Sequence, residues 1–212
     1  MIAVIGAGRC GTSLMMQTLD ILGVPLLGNP QGRATHQLWQ AYFKNKKELD
    51  PISVQHNTKG YYELSFEEIG GIIYGYPWSY EYGKAVKFTT DRVVDINSSR
   101  LEKVIFCKRK SLQKAAESMH LLAQSDLDYA KRHDLNSFAD LYTTMTAKDW
   151  RQHMLMFNKL VGSWLEDNEI PTLTVWFENM LENTEPTIQK VADFLELDKP
   201  NLSAALKNVD KP

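Results

Sequence analysis

The residues best suited to chemistry stand near the start of the chain. Gly6-Ala-Gly-Arg-Cys-Gly-Thr-Ser13 sets three glycines, an arginine and two hydroxyls directly after the apolar run Met1–Ile5. In such a loop the backbone N–H groups converge on an anion at the start of a helix. Arg9 adds a guanidinium from inside the loop, and Thr12 and Ser13 add hydroxyl donors. The chemistry this set can serve is binding a phosphate, or transferring a group from one. The plain alternative is a tight strand-to-helix turn with no ligand.

Two general motifs share this spacing. Gly6-x-Gly8-x-x-Gly11 fits the dinucleotide fingerprint, which also wants an acidic residue about 20 positions further on for the ribose hydroxyls. Residues 21–47 contain no Asp or Glu, so an NADP site would have to rely on Arg33. Gly6-x4-Gly11-Thr12-Ser13 also has P-loop spacing, but Thr12 replaces the lysine that normally bridges the β- and γ-phosphates. A nucleotide or small-molecule kinase and an NADP-binding protein therefore stay as alternatives.

A second basic turn follows another apolar run. Val104-Ile-Phe-Cys-Lys-Arg109-Lys110-Ser reads as a strand leading into an amphipathic helix from Ser111 to Ala123 that carries Ser118. Arg109 and Lys110 at a helix start oppose the helix dipole unless an anion is nearby. A solvated basic turn is the plain alternative.

These turns need elements to hold them. Met1–Ile5, Ala85–Phe88, Val104–Cys107 and Thr172–Trp176 read as strands. Helical patterns run from Thr12 to Leu22, His36 to Glu48, the 60s to Tyr74, Ser111 to Ala123, most of Leu135 to Leu165, Thr187 to Leu195 and Leu202 to Leu206. Alternating strands and helices predict an α/β, three-layer, P-loop-like fold, with a mainly parallel sheet of about four to five strands and helices on both faces. No repeat or linker divides it, which predicts a single domain over residues 1–212.

Composition sets the outer bounds. The chain has 212 residues, 43% apolar and 24% charged, with a formal charge of −2. That balance gives no global pull toward nucleic acid or anionic membrane. The longest uncharged runs, Ile21–Gly32 and Ile69–Tyr80, are too short and too rich in Gly and Pro to span a bilayer. Arg9 follows the apolar start with no basic leader before it, unlike a signal peptide. A cytoplasmic protein is expected. Cys10 and Cys107 then read as small buried side chains rather than a disulfide, and the five scattered histidines do not suggest a metal site.

Taken together, the segments resemble the PAPS-dependent sulfotransferases. Arg9-Cys-Gly-Thr-Ser13 resembles their 5′-phosphosulfate loop, in which Arg or Lys, one residue, then Gly-Thr-Ser/Thr follows the first strand. Arg109 with Ser118, nine residues apart, resembles the Arg and Ser that hold the donor's 3′-phosphate; Lys110, eight residues before Ser118, is the other candidate. Thr174-Val-Trp-Phe-Glu178 and the later Phe194-Leu-Glu-Leu197 resemble the family's last strand and closing helix, with Glu196 where the family has Gly. Asn57-Thr-Lys-Gly60-Tyr-Tyr-Glu63 resembles an Asn-Pro-x-Gly-Tyr-Phe-Glu stretch of bacterial members.

The resemblance implies transfer of a sulfuryl group from PAPS to a hydroxyl or amine, releasing PAP, with no metal required. Gly8, Arg9, Cys10, Gly11, Thr12 and Ser13 would cradle the 5′-phosphosulfate, with Arg9 at the bridging oxygen. Lys87 matches a family lysine that stabilises the transferring group, but the His found two residues later in phenol and steroid enzymes is Thr89 here. The base is then Glu63 or His56; the plain alternatives are a first-turn glutamate and a loop histidine. Glu178 is expected to make structural hydrogen bonds. The acceptor is a small molecule, carbohydrate or peptide that the sequence does not identify. The aromatic stretch Tyr74–Tyr82 reads equally as a pocket wall or as packing, and Met119 and His120 lie near enough to Ser118 to face the site.

Overall fold

A computed structural model describes residues 1–28, 62, 64, 66–74, 83–89, 91–132 and 145–209. Its described elements, in order, are β1 (Ile2–Ile5), α1 (Thr12–Ile21), α2 (Phe66–Tyr74), β2 (Ala85–Phe88), β3 (Lys103–Lys108), α3 (Leu112–Arg132), α4 (Ala147–Asp167), β4 (Thr172–Trp176), α5 (Phe177–Glu182), α6 (Thr184–Phe194) and α7 (Leu202–Asn208). Two short 3-10 turns, Asp91–Asp95 and Ser98–Arg100, lead into β3.

The strands form one sheet in the order β2-β1-β3-β4, and every pairing is parallel. The largely apolar runs of β1, β2 and β3 make this possible, because a parallel strand covered on both faces has no polar side; the edge strand β4 leaves Thr172 and Thr174 exposed. Ala3, Ile5, Val86, Phe88, Val104 and Phe106 pack into one layer with Met154, Phe157 and Val161 of α4 and Ala115 and Ala116 of α3. Ile2, Val4, Ala85, Ile105 and Cys107 face the opposite layer, with Met15, Met16 and Leu19 of α1, Ile188 and Val191 of α6 and Ala205 of α7. The three-layer α/β arrangement expected from the sequence is present, with four strands among the described residues.

Boundaries differ where local chemistry overrides periodicity. α3 runs on to Arg132, past the expected end at Ala123. α4 starts at a capping box in which Thr146 and Asp149 satisfy each other's backbone N–H groups. α5 follows β4 without a loop and was not expected as a helix, since six residues show little periodicity. The expected helix His36–Glu48, Arg33, His56, Asn57–Gly60, Glu63 and the stretch from 75 to 82 lie outside the described residues.

The register places the site. Ile5 pairs with Phe88 on one side and Phe106 on the other, so β1 and β2 end level and β3 runs two residues further, to Lys108. The Gly6–Ser13 loop, the end of β2 and the basic turn after β3 therefore share one rim of the sheet.

Candidate functional site

The loop begins as a continuation of β1, with Gly6 N–H donating to the Phe88 carbonyl at 3.1 Å. A Cβ at Gly6 would stand 2.7 Å from the Cys107 carbonyl oxygen and 2.8 Å from Thr12 Cγ2. A Cβ at Gly8 would stand 2.7 Å from Met119 Sδ. The loop thus passes close to β3 and α1 at Gly6, where a side chain would collide with backbone, and close to the Met119 side chain of α3 at Gly8.

Arg9 turns the chain with φ 62, a left-handed conformation uncommon outside glycine. Two contacts hold it there: its Nε donates to Ser118 Oγ at 2.8 Å, and Arg109 Nη1 donates to its carbonyl at 3.0 Å. Arg109 and Ser118, expected to meet on a 3′-phosphate, therefore both reach the loop through Arg9. Cys10 points the other way. Its N–H donates to the Ala7 carbonyl at 3.2 Å and its thiol is buried. Burial lifts that thiol to about 11, with Arg109 pulling it down and Glu178 adding to the rise. Cys107, fully buried on β3, is raised as well, by burial and then by Cys10.

Gly11 is the N-cap of α1, with φ 92 and no side-chain cap. The first turn of α1 contains no acidic residue, so its positive dipole end faces the loop without a carboxylate of its own. Thr12 is buried against Gly6, while Ser13 is half-buried and accepts from Lys87 Nζ at 3.2 Å. Lys87 is 3% exposed, far more buried than a lysine normally is. Thr89, where the resembled sulfotransferases have a histidine, is exposed.

Across the rim, Arg109 lies on the ring of Phe177, its Cζ 4.7 Å from the centroid. Its Nε is buried with no hydrogen-bond partner among the described residues, 3.9 Å from Glu178 Oε1. Glu178 accepts from the backbone N–H groups of Lys110 at 3.0 Å and Ser111 at 3.4 Å, the structural hydrogen bonds expected of it. Burial pushes the Glu178 carboxyl up, but the N–H groups of Lys110, of its own backbone and of Ser111, with Arg109, outweigh this and hold it below its ordinary value. The Lys110 side chain is exposed.

The structure thus brings Gly8, Arg9, Gly11, Thr12, Ser13, Lys87, Arg109 and Ser118 to one rim. Glu63 and His56 are outside the described residues. His120 turns away: its Nδ1 meets the Met145 carbonyl at 3.1 Å and its Nε2 meets Gln124 at 3.0 Å, beside the start of α4. Phe177 was not foreseen; its only signal was an aromatic residue beside Glu178 at the end of β4. Among the described residues no three His, Cys, Asp or Glu side chains gather as metal ligands, and no helix is long and apolar enough to cross a membrane. Such a rim offers guanidinium, ammonium, hydroxyl and helix-start N–H donors to an anion. No protein-family model matches the chain, and no curated protein matches it.

Proposed function

We propose that this chain is a PAPS-dependent sulfotransferase, moving a sulfuryl group to a hydroxyl or amine of a small-molecule, carbohydrate or peptide acceptor. The observation that carries this reading is the convergence of Arg9, Lys87 and Arg109 on the start of α1, a helix with no side-chain cap. Cations at that point supply the charge that the absent P-loop lysine would otherwise bring. In this reading the 5′-phosphate lies against Gly8 to Ser13. Arg109, Lys110 and Ser118 hold the 3′-phosphate.

The chemistry then follows from charge. The acceptor oxygen or nitrogen attacks sulfur in line, the bond from sulfur to the bridging oxygen breaks, and its electron pair stays on the phosphate of PAP. Arg9 stabilises that oxygen as it gains charge, and Lys87 stabilises the oxygens of the sulfuryl group. The acceptor proton passes to a base, for which Glu63 is the first candidate and His56 the second. Fixed side-chain cations can serve this step without a metal.

Thermal unfolding with ligands tests the reading. A ligand that binds only the folded chain raises its stability, by about 2.7 kcal/mol at a hundred times Kd. PAP should raise the melting temperature more than ATP with Mg2+ or NADPH does. A shift with ATP and Mg2+ but none with PAP would instead favour a kinase, and a shift with NADPH alone a dinucleotide-binding protein. Glu63→Gln should lower transfer strongly while PAP still binds; full activity would exclude Glu63 and leave His56.

A further inference from the structure

The donor reading assigns Arg109 to a phosphate but does not say what holds Arg109 in place. A guanidinium on a turn between β3 and α3 has many rotamers, and Lys108 at the end of β3, with Arg109 and Lys110 just after it, puts three like charges in a row. Glu178 lies 67 and 68 residues further along the chain from the N–H groups it binds. It reaches them because α5 starts directly at the end of β4, which pairs with β3 as far as Lys108 and Trp176. The sheet register therefore delivers a carboxylate to the Lys110 and Ser111 backbone.

That carboxylate is engaged with the turn more than with the guanidinium. Its oxygens accept at 3.0 and 3.4 Å from the backbone, while Arg109 Nε stays 3.9 Å away, beyond hydrogen-bond range. The adjacent Phe177 ring packs against the Arg109 guanidinium, 4.7 Å from its Cζ. The same ring sits 2.8 Å from where a Cβ at Gly11 would be. On its far side Arg109 Nη1 holds the carbonyl of Arg9.

We infer that Glu178 is a positioning residue for the nucleotide site: by anchoring the turn at Lys110 and Ser111, it presents Arg109 to the 3′-phosphate. This rests on the donor reading above. The competing role is that of a remote cap for α3, which would support the fold without distinguishing one ligand from another.

Two ligands separate these roles: PAP, with both phosphates, and AMP, with the 5′-phosphate alone. Titration calorimetry on the full chain gives the ratio of their affinities. The wild-type chain should prefer PAP by about tenfold or more, the size of one charge-assisted hydrogen bond. In Glu178→Gln the AMP affinity should stay within about twofold, while PAP falls to nearly the AMP value. Arg109→Ala should remove the PAP preference as well, while also weakening AMP because the Arg9 carbonyl is released, and the double variant should show no smaller PAP preference than Arg109→Ala alone.

Equal weakening of both ligands in Glu178→Gln, or no change in either, overturns the inference. A wild-type chain without a PAP preference overturns the donor reading and the inference together, whereas a preference that survives in Glu178→Gln overturns the inference alone. If Glu178→Gln does not fold, Glu178→Asp, whose carboxylate is withdrawn by one methylene, must show the selective loss; failure of both to fold assigns Glu178 to the fold and also overturns the inference.

Discussion

Two glycines with nearly the same φ but different neighbours allow the strain in the Gly6–Ser13 loop to be measured. Gly11 has φ 92 and Gly23 has φ 89. Gly23 ends α1, with its N–H bonded to Asp20 and that of Val24 bonded to Leu19, and a Cβ there would meet nothing within 4 Å. Gly23→Ala therefore reports the left-handed backbone penalty alone. That is about 1–2 kcal/mol, reduced by the ~0.4–1 kcal/mol that alanine gains by restricting the unfolded chain. The net expectation is a loss of about 1 kcal/mol.

Gly11→Ala adds a collision with Phe177 Cδ2 at 2.8 Å. The ring cannot easily retreat, because Arg109 lies on it at 4.7 Å. Overpacking of this kind costs about 1–3 kcal/mol, so Gly11→Ala should lose about 2–4 kcal/mol in all. Urea unfolding measures both variants on one scale. In a Phe177→Leu background the collision is removed, and the cost of Gly11→Ala should fall toward that of Gly23→Ala. A Gly11→Ala loss no larger than the Gly23→Ala loss would refute the account of the loop as closed down on Phe177.

Arg9→Ala should abolish transfer and most of the PAP-induced rise in melting temperature; retained transfer would remove Arg9 from the mechanism. Glu196 takes φ 56 at the end of α6, where its N–H bonds to Asp193 and that of Leu197 to Ala192. Glu196→Gly should raise the melting temperature, since glycine accepts that backbone freely and Lys103 keeps its bond to the Phe194 carbonyl. A lower melting temperature would show that the Lys103–Glu196 pair outweighs the backbone strain. The folded chain also resists ionising Cys10, whose thiol is raised from 9.0 to about 11. Below the ordinary value both states keep the proton; above it only the unfolded chain loses it. Stability should therefore drain away between about pH 9 and about pH 11, by up to ~2–3 kcal/mol from this group. Urea unfolding across that window should show a shallower loss in Cys10→Ala, and an unchanged loss would contradict the assignment.

What could be read in advance followed from local pattern. Ala85–Phe88 and Thr172–Trp176 match their strands to the residue, because each is a short run of mostly apolar or β-branched residues. The loop was legible because three glycines in a short stretch leave few alternatives. Glu196, standing where the resembled family has glycine, marks a position that the structure shows to be left-handed. What was not legible depended on distant packing. Nothing in the local sequence says that Phe177 lies under both Gly11 and Arg109, or that Ser118 meets Arg9 rather than Arg109. The length of α3 was underestimated because its continuation past Ala123 is mostly polar and carries little apolar periodicity to read.

The order of the strands explains why the cations meet where they do. From β1 the chain passes to β2 on one side, then returns across β1 to β3 on the other. In a parallel α/β sheet that reversal leaves a crevice beyond the carboxyl ends of the strands, since the flanking connections part there. Arg9 follows β1, Lys87 stands on β2 and Arg109 follows β3, so each comes from a different strand of the reversal. Each meets an oxygen at the rim: Ser118 Oγ for Arg9, Ser13 Oγ for Lys87 and the Arg9 carbonyl for Arg109, which also has Glu178 Oε1 3.9 Å from its Nε. Cations brought to one rim repel one another, and an anion that enters there relieves part of that repulsion. Affinity for the proposed phosphate-bearing donor should therefore fall as salt rises, because salt screens both the repulsion and the attraction.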